Sequence, residues 1–163
     1  MSGTKIKKIA ALVRIVSGLK RRGKRIVFTN GCFDILHFGH VQYLQRAKQC
    51  GDILVVGLNS DASVRRLKGR GRPIIKEGDR SRVLAALTCV DYVVAFNEDT
   101  PYAVIQKIRP DILVKGADWN KKKIVGADVV TGYGGKVATI SFIKGRSTTS
   151  IINKIANTYK RHT

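Results

Sequence analysis

A chain of 163 residues that is 44% hydrophobic suits one domain around a single core, and no stretch approaches the ~18 apolar residues of a membrane helix. Lys and Arg number 31 against 11 Asp and Glu, a net charge of +20, and the N-terminus is too charged for a signal peptide. The three cysteines lack CxxC spacing, so we expect neither a disulfide framework nor a zinc site, but a reducing cytoplasm.

The excess positive charge has three interpretations. It is typical of nucleic-acid binders, which release phosphate counterions. It also produces a field that attracts nucleotides and sugar phosphates, and it can be a property of an organism's whole proteome. Because the basic residues are scattered and only 7% of residues are aromatic, the sequence shows no base-stacking platform. We therefore expect no specific nucleic-acid partner.

The chain begins with an amphipathic pattern. Apolar residues recur every three or four positions from Ile6 to Leu19, which predicts a helix over residues 4–21 that ends at Gly23. Its apolar stripe suits packing on the protein's own sheet or on a second subunit.

After this helix, apolar runs alternate with amphipathic stretches. Strands are predicted at residues 25–29, 53–57, 92–95, 112–114 and 136–140. Helices are predicted from the residue 40 region to 49, within 59–67, and at 78–87, 100–108, 125–131 and 147–159, with Thr100 capping its helix ahead of Pro101. This alternation predicts a single α/β domain: a Rossmann-like, five-stranded parallel sheet with helices on both faces.

The segment between the first strand and the second helix is the most informative. Residues 31–40, GCFDILHFGH, place two histidines three residues apart at a helix start. That spacing puts both imidazoles on one face, about one turn apart. The unpaired N–H groups and the positive end of the helix dipole point the same way, a combination that suits an anionic phosphate.

Two other interpretations of the histidine pair stay open at this point. The two rings share a metal ion, or they form a surface pair without a ligand. A metal would need scattered carboxylates or Cys32, because the third histidine, His162, lies in the tail. Asn30-Gly31 permits a tight turn and Gly39 allows a ligand to approach the backbone, so we favour a phosphate and predict no metal site.

Three polar clusters follow predicted strands, namely the segments 29–40, 59–61 and 115–119. Since ligands bind beyond the carboxyl ends of parallel strands, we expect these clusters to meet at one edge of the sheet.

The run Gly31-x-Phe33-Asp34-x-x-His37-x-Gly39-His40 resembles the signature of the HxGH nucleotidyltransferases, which include the cytidylyltransferases. Further matches follow in order: 56–61 (VGLNSD), 68–69 (KG), 72–74 (RPI), 79–80 (DR), 84–87 (LAAL), 111–119 (DILVKGADW) and 147–152 (STTSII). Together the matches span about residues 25–155. The ordered set is similar to the adenylyltransferase half of bacterial ADP-heptose synthases, which transfers AMP to a heptose 1-phosphate.

This resemblance implies a nucleotidyltransferase domain over 1–163, with an N-terminal helix in 1–22, a core in 25–155 and a basic tail in 156–163. It also implies ATP and a sugar phosphate as substrates, Mg²⁺ bound to the nucleotide, pyrophosphate release, ADP-heptose for lipopolysaccharide core or related glycans, and a homodimer as in relatives. Alternatives are a cytidylyltransferase acting on glycerol or alcohol phosphates, an FMN adenylyltransferase, or a basic nucleic-acid-binding protein with the same fold.

The resemblance also assigns site residues. Catalytic roles fall to His37 and His40, at the α-phosphate and the β/γ leaving group, and to Lys68 as a phosphate clamp. The implied nucleotide-binding residues are Thr29, Asn30, Gly31, Cys32, Phe33, Asp34, Gly39, Lys115, Gly116, Asp118, Ser147, Thr148 and Thr149. The implied substrate-binding residues are Asn59, Asp61, Arg72 and Arg80.

Several of these residues have structural alternatives. The alternatives are a helix cap for Asp34 and Ser147, solvated surface charge for Lys68 and Arg72, exposure for Arg80, turn capping for Asn59 and Asp61, and a core or interface position for Trp119. An arginine that some cytidylyltransferases carry a few residues before S-T-T is missing, and Lys144 or Arg146 would supply its charge.

Overall fold

The computed structural model describes residues 5–117, 124–141, 143 and 145–159. Within these ranges the elements in chain order are α1 (Ile9–Arg21), β1 (Ile26–Gly31), α2 (Phe38–Gln49), β2 (Ile53–Asn59), α3 (Asp61–Lys68), α4 (Glu77–Ala86), β3 (Tyr92–Phe96), α5 (Tyr102–Ile108), β4 (Ile112–Gly116), α6 (Ala127–Gly132), β5 (Lys136–Ile140) and α7 (Thr148–Tyr159). None of the helices described here has the length and apolarity needed to cross a membrane.

The five strands form one parallel sheet in the order β3-β2-β1-β4-β5. The register of β1 on β2 runs from Ile26 opposite Ile53 to Gly31 opposite Leu58. The chain moves outward from β1 to β3, then returns to add β4 on the other side of β1. This reversal opens a crevice at the carboxyl ends of β1 and β4. The predicted five-stranded parallel sheet is confirmed.

Two apolar cores cover the two faces of the sheet. On β1, Val27 joins a cluster with Leu44 of α2 and Leu84 of α4. Its neighbour Phe28 belongs to the opposite cluster, with Leu12 of α1 and further residues of α5 and α6. Successive strand side chains point to opposite faces, so helices cover both sides, as the sequence pattern predicts.

The start of the chain differs from the prediction. Residues 5–7 are not helical: Ile6 bridges Val93 in parallel, and the N–H of Lys7 donates to Val93 O at 2.9 Å. Because β3 is the edge strand, its open backbone groups accept this short segment in place of a longer helix. The apolar stripe of α1 packs on the protein's own sheet, with Leu12 and Val16 fully buried.

The predicted cap of α5 is wrong. Pro101 occupies the N-cap position and no side chain caps this helix. Thr100 therefore lies one residue outside the helix, too far back for its hydroxyl to accept from the amides of the first turn. For α7, by contrast, Ser147 does take a capping position, with its Oγ accepting from Ser150 N at 3.0 Å.

Candidate active site

A cavity of about 610 Å³ opens at the carboxyl edge of the sheet. It is bounded by the ends of β1, β2 and β4, the first turns of α2 and α7, and the segment between β3 and α5. The predicted residues that line it are Asn30, Gly31, Cys32, Phe33, Asp34, His40, Asn59, Lys68, Arg72, Lys115, Gly116, Thr148 and Thr149. The three polar clusters expected at one edge of the sheet thus meet in one cavity.

The turn after β1 is shaped by a close approach between Gly31 and Phe33. A Cβ atom at position 31 would lie 3.0 Å from the Phe33 ring, and Phe33 itself has φ 43°, a left-handed conformation that is uncommon for a non-glycine residue. The ring meets His40 edge-on, at 5.3 Å between centroids. Glycine at position 31 therefore lets Phe33 fold back and support His40.

The two histidines of the motif stack on one another. His37 is the N-cap of α2 and His40 lies in its first turn, with ring centroids 3.8 Å apart and ring planes at 24°. Gly39 makes room for the pair, because a Cβ there would lie 3.0 Å from the His37 ring and 3.2 Å from Cβ of Arg146. The expectation that both imidazoles share one face of the helix is confirmed.

Three nitrogens of this pair are buried without a hydrogen-bond partner among the described residues: His37 Nδ1, His37 Nε2 and His40 Nδ1. Burial lowers the pKa of His40 to about 4, with a further lowering by His37 and an opposing hydrogen bond to the Ile35 backbone. Burial, and next the charge of Arg146, lowers the pKa of His37. Both rings are therefore neutral at pH 7, and the unsatisfied nitrogens are suited to a polar ligand.

Asp34 anchors the loop between α3 and α4, residues 69–76 (the basic loop). Its side chain is fully buried, and the carboxylate accepts from Arg72 Nε at 2.5 Å and from the N–H groups of Ile74 and Ile75 at 2.9 and 2.8 Å. Burial raises the pKa of Asp34, but these hydrogen bonds and the Arg72 charge outweigh burial and hold the pKa below 3.8. The interpretation of Asp34 as a helix cap is wrong, and so is that of Arg72 as solvated surface charge.

Arg80 is the largest fully buried side chain, at 2% exposure, so the alternative of an exposed arginine is wrong. Its guanidinium donates to the backbone oxygens of Cys32 and Asn59 at 2.6 and 2.9 Å. It also donates to Ile75 O at 2.9 Å and to the Asp61 carboxylate at 2.6 Å. One side chain therefore links the turn after β1, the end of β2, the basic loop and the start of α3.

Asp61 and Thr29 do not line the cavity. Asp61 Oδ1 also accepts from Glu77 N at 2.9 Å, so this carboxylate holds the first residue of α4, a long-range contact and not the local turn capping offered as an alternative. Thr29 is fully buried and its hydroxyl bonds the Tyr43 hydroxyl at 2.7 Å. Lys115 Nζ of β4 donates to Asn30 Oδ1 of the neighbouring strand β1.

The other predicted residues lie around this cavity in three groups. The predicted residues that do not line it are His37, Gly39 and Ser147, near the starts of α2 and α7, and Arg80, Asp61 and Thr29. Asp118 and Trp119 lie outside the described residues. The functional roles of all these residues stay predictions.

Sequence reasoning missed seven lining residues: Tyr43, Leu67, Asp99, Thr100, Pro101, Ile124 and Val125. Asp99 to Pro101 follow the end of β3, so the rule about strand ends that selected the other clusters applies to them too. Leu67, Ile124 and Val125 are apolar, and their sequence surroundings carry no signal of a site.

Comparison with known families agrees with this architecture. The model of the cytidylyltransferase-like family matches residues 28–154. The chain belongs to this family. The membership confirms the family predicted from the ordered motifs and its enzyme class, the nucleotidyltransferases.

Among curated proteins, bifunctional protein HldE of Geobacter metallireducens is 58% identical over 97% of this chain and 32% of its own length. HldE of Wolinella succinogenes is 57% identical over 89% of this chain and 30% of its own length. The chain thus spans about a third of the length of these relatives.

Solved structures share the fold. The lipopolysaccharide core biosynthesis protein of Thermoplasma volcanium is 29% identical, with a TM-score of 0.62, over 76% of this chain and all of that one. Pantoate-beta-alanine ligase of Francisella tularensis is 15% identical with a TM-score of 0.60, over 94% of this chain and 76% of that one. This second likeness shows the fold alone.

Proposed function

We propose that this chain transfers AMP from ATP to heptose 1-phosphate and releases pyrophosphate, giving ADP-heptose for lipopolysaccharide core or related glycans. The ordered motifs, the HldE relatives and the family membership support this activity. The observation that carries the proposal is the stacked pair of neutral histidines at the start of α2, with buried nitrogens that have no partner in the described chain.

In this reaction an oxygen of the acceptor phosphate attacks the α-phosphorus of ATP. The bond from that phosphorus to the bridging oxygen breaks, and pyrophosphate leaves with the electron pair. The protein has to position the reactants and stabilise charge on the phosphate oxygens. Neutral His37 has an N–H to donate to those oxygens, since neither of its nitrogens has a partner in the described chain. His40 uses one nitrogen for the hydrogen bond to the Ile35 backbone, so its Nδ1 donates to a phosphate oxygen once the ring takes up a proton beside the triphosphate.

Lys68 and the start of α7 complete the proposed phosphate site. Lys68 is exposed at the end of α3 and lines the cavity, a position from which its ammonium reaches an incoming phosphate. Thr148 and Thr149 line the cavity in the first turn of α7, where free N–H groups favour anions.

Mg²⁺ belongs to the proposal as an ion bound mainly to the nucleotide. The described residues contain no group of three or more His, Cys, Asp or Glu side chains that would hold it. Asp34 lines the cavity, but its two oxygens are engaged by Arg72, Ile74 and Ile75. When bound to the triphosphate, Mg²⁺ would neutralise phosphate charge.

Two expectations about the enzyme's surroundings accompany the proposal. We place it in the cytoplasm, in agreement with its free thiols Cys32, Cys50 and Cys89. We also expect a homodimer, on the resemblance to the family alone; sedimentation of the purified chain would measure its mass.

A substrate panel tests the activity directly. Pyrophosphate release is measured with ATP or CTP, each combined with heptose 1-phosphate, glycerol 3-phosphate or FMN. We expect ATP with heptose 1-phosphate to exceed every other pair by on the order of 10²-fold or more in kcat/KM. A preference for CTP with glycerol 3-phosphate, or for ATP with FMN, would replace the proposal by the corresponding alternative.

The same preparation tests the nucleic-acid alternative. Duplex DNA binding is measured at low salt and at about 0.3 M salt, where binding that depends only on charge weakens steeply. Tight binding at the higher salt, together with no pyrophosphate release, would favour a nucleic-acid protein with this fold.

A further inference from the structure

The wall between β3 and α5 differs in chemistry from the rest of the cavity. The parts built by α2, α3 and α7 present His40, Lys68 and the Thr148-Thr149 pair, all of which can donate hydrogen bonds to an anion. The wall after β3 presents Asp99 and Thr100 instead. A carboxylate repels phosphate, so this wall is unsuited to the groups that the remaining cavity is suited to bind.

Asp99 differs from the other carboxylate that lines the cavity. Both oxygens of Asp34 are engaged inside the protein, and its side chain is fully buried. Asp99 uses Oδ1 to accept from Arg66 Nε at 2.7 Å, and its side chain stays 56% exposed. Across the described chain, Asp99 Oδ2 receives no hydrogen bond. Asp99 thus lines the cavity with one oxygen held by Arg66 and the other without a hydrogen bond in the described chain.

The residues beside Asp99 extend this surface. Thr100 does not cap α5 as the sequence predicted, and its hydroxyl has no hydrogen-bond partner in the described ranges. Pro101 is buried and lines the cavity next to it. Leu67 is 46% exposed in the cavity, one residue before Lys68 on α3. The side-chain oxygens of Asp99 and Thr100 therefore lie in the same cavity as the apolar side chains of Pro101 and Leu67 and the ammonium of Lys68.

A sugar phosphate has the complementary chemistry. Its hydroxyl groups donate hydrogen bonds to carboxylate and threonine oxygens, its C–H faces pack on apolar side chains, and its phosphate pairs with a cation. We propose that Asp99 and Thr100 form the subsite for the hydroxyl groups of the acceptor sugar, with the acceptor phosphate directed to Lys68. This inference rests on the proposed function and adds the residues that select a polyhydroxylated acceptor.

The competing explanation is structural. Arg66 of α3 also donates to Asn97 O. In this explanation the only role of Asp99 is to give Arg66 a second partner, and the two contacts hold the turn after β3 against α3. That explanation predicts at least as large an effect from losing Arg66, which makes both contacts, as from losing Asp99, which makes one. The subsite predicts a larger effect from losing Asp99, because only Asp99 contacts the acceptor.

Four variants separate the two explanations. Asp99→Ala removes the carboxylate, Asp99→Asn keeps one acceptor oxygen, and Arg66→Met removes both of these contacts while leaving Asp99. Asp79→Ala is the matched control, an exposed aspartate on α4 that pairs with Arg82 at 3.4 Å and lies outside the cavity lining. The measurements are KM for heptose 1-phosphate and for ATP, and equilibrium binding of heptose 1-phosphate in the presence of a non-hydrolysable ATP analogue.

We expect Asp99→Ala to raise the KM and the dissociation constant for heptose 1-phosphate by roughly 10- to 100-fold, the loss that follows from one or two hydrogen bonds to a charged group. Asp99→Asn should give a smaller rise, Arg66→Met a smaller rise still, and Asp79→Ala none. KM for ATP should stay within about twofold in all four variants, because the nucleotide contacts lie on other elements.

The outcomes distinguish this inference from the activity on which it rests. If the wild-type chain uses heptose 1-phosphate but Asp99→Ala leaves its KM unchanged, or matches Arg66→Met, the subsite is overturned and the activity stands. If the wild-type chain neither binds nor uses any sugar phosphate, both are overturned. A rise in the KM for ATP equal to that for the acceptor would also refute the subsite, since it indicates general disorder of the cavity.

Discussion

Two polar clusters lie at the turn after β1, and they differ in how many of their buried polar atoms have hydrogen-bond partners within the protein. Arg80 is buried beneath the turn and donates to four oxygens, and the buried carboxylate of Asp34 receives three hydrogen bonds. The stacked rings of His37 and His40, a few residues along the same segment, leave three buried nitrogens without a partner in the described chain.

This contrast favours a structural role for the satisfied cluster and a ligand-binding role for the histidine pair. A buried polar group without a partner costs on the order of 1–3 kcal/mol, so a folded protein retains one where a ligand or solvent supplies the missing bond. A fully satisfied group stabilises the fold and has little left to offer a substrate. We therefore expect variants of the Arg80 and Asp34 cluster to affect stability first, and variants of the histidine pair to affect turnover first.

The largest effect should follow His40→Ala. Removing one preorganised donor should lower kcat for pyrophosphate release by roughly 10²- to 10³-fold. Stability should fall by only about 1–2 kcal/mol, because the ring's hydrogen bond to the Ile35 backbone and its contacts with Phe33 and His37 are lost, whereas Nδ1 has no partner in the described ranges to lose. Stopped pyrophosphate assays and urea denaturation measure the two quantities. Gln45→Ala, an exposed position on the same helix, is the control, and a His40→Ala protein with wild-type turnover would remove the assigned role.

Arg80→Met should show the reverse pattern. The substitution keeps an apolar stem but leaves three backbone oxygens and Asp61 without their donor, which should lower the free energy of unfolding by about 3 kcal/mol. Arg82→Met, two residues along α4, is the matched control because Arg82 is 70% exposed and pairs only weakly with Asp79. Equal unfolding free energies for the two variants would show that the buried cluster does not stabilise the fold.

Asp34→Asn should have a smaller, pH-dependent effect of about 1–2 kcal/mol at neutral pH, from weaker hydrogen bonds to Arg72 and the loop amides. The folded-state pKa of Asp34 lies below its ordinary value of 3.8. Its contribution is therefore complete above that ordinary value and is lost as pH falls through the folded pKa. Denaturation curves of both proteins should converge in acid; a constant gap down to pH 2 would contradict this account.

The smallest effect concerns protons taken up on nucleotide binding. Because the pKa of His40 is about 4 and that of His37 is also lowered, both rings are neutral in the free protein at pH 7. A bound triphosphate raises both pKa values, so binding should take up a fraction of a proton and tighten as pH falls from 8 to 6. Calorimetry in buffers of different ionisation enthalpy measures the uptake. Proton release on binding, or identical uptake in His40→Ala, would contradict the placement of the phosphates.

The same lowered pKa values set the sign of a stability change in the free protein. The unfolded chain protonates its histidines near pH 6.5, before the folded protein does. Stability should therefore fall as pH drops from about 6.5 towards 4 and should not recover below that range through these groups. Loss of this slope in His40→Ala would assign it to the pair.

Local patterns in the sequence were sufficient for much of this description. The alternation of Val27 and Phe28 between two cores, the alternation of strands with helices, and the placement of two histidines on one face follow from fixed backbone periods, whereas the stacking of the two rings was not predicted. The sequence marked Gly31 and Gly39 as special, but for a tight turn and for the approach of a ligand, whereas the structure shows the Phe33 and His37 rings next to them. These features depend on neighbours within a few residues, which the sequence shows directly.

Tertiary structure decided which polar groups are already satisfied. Asp34 meets the amide of Ile75 across 41 positions and Arg80 meets the oxygen of Cys32 across 48, so no local pattern distinguishes these side chains from surface charges. Residues 5–7 pair with the edge strand β3, whereas the sequence predicted them as part of α1. Pro101 occupies the N-cap position of α5, so Thr100 lines the cavity and does not cap the helix. Periodicity is a property of one segment, whereas the satisfaction of a buried polar atom depends on what distant segments bring to it.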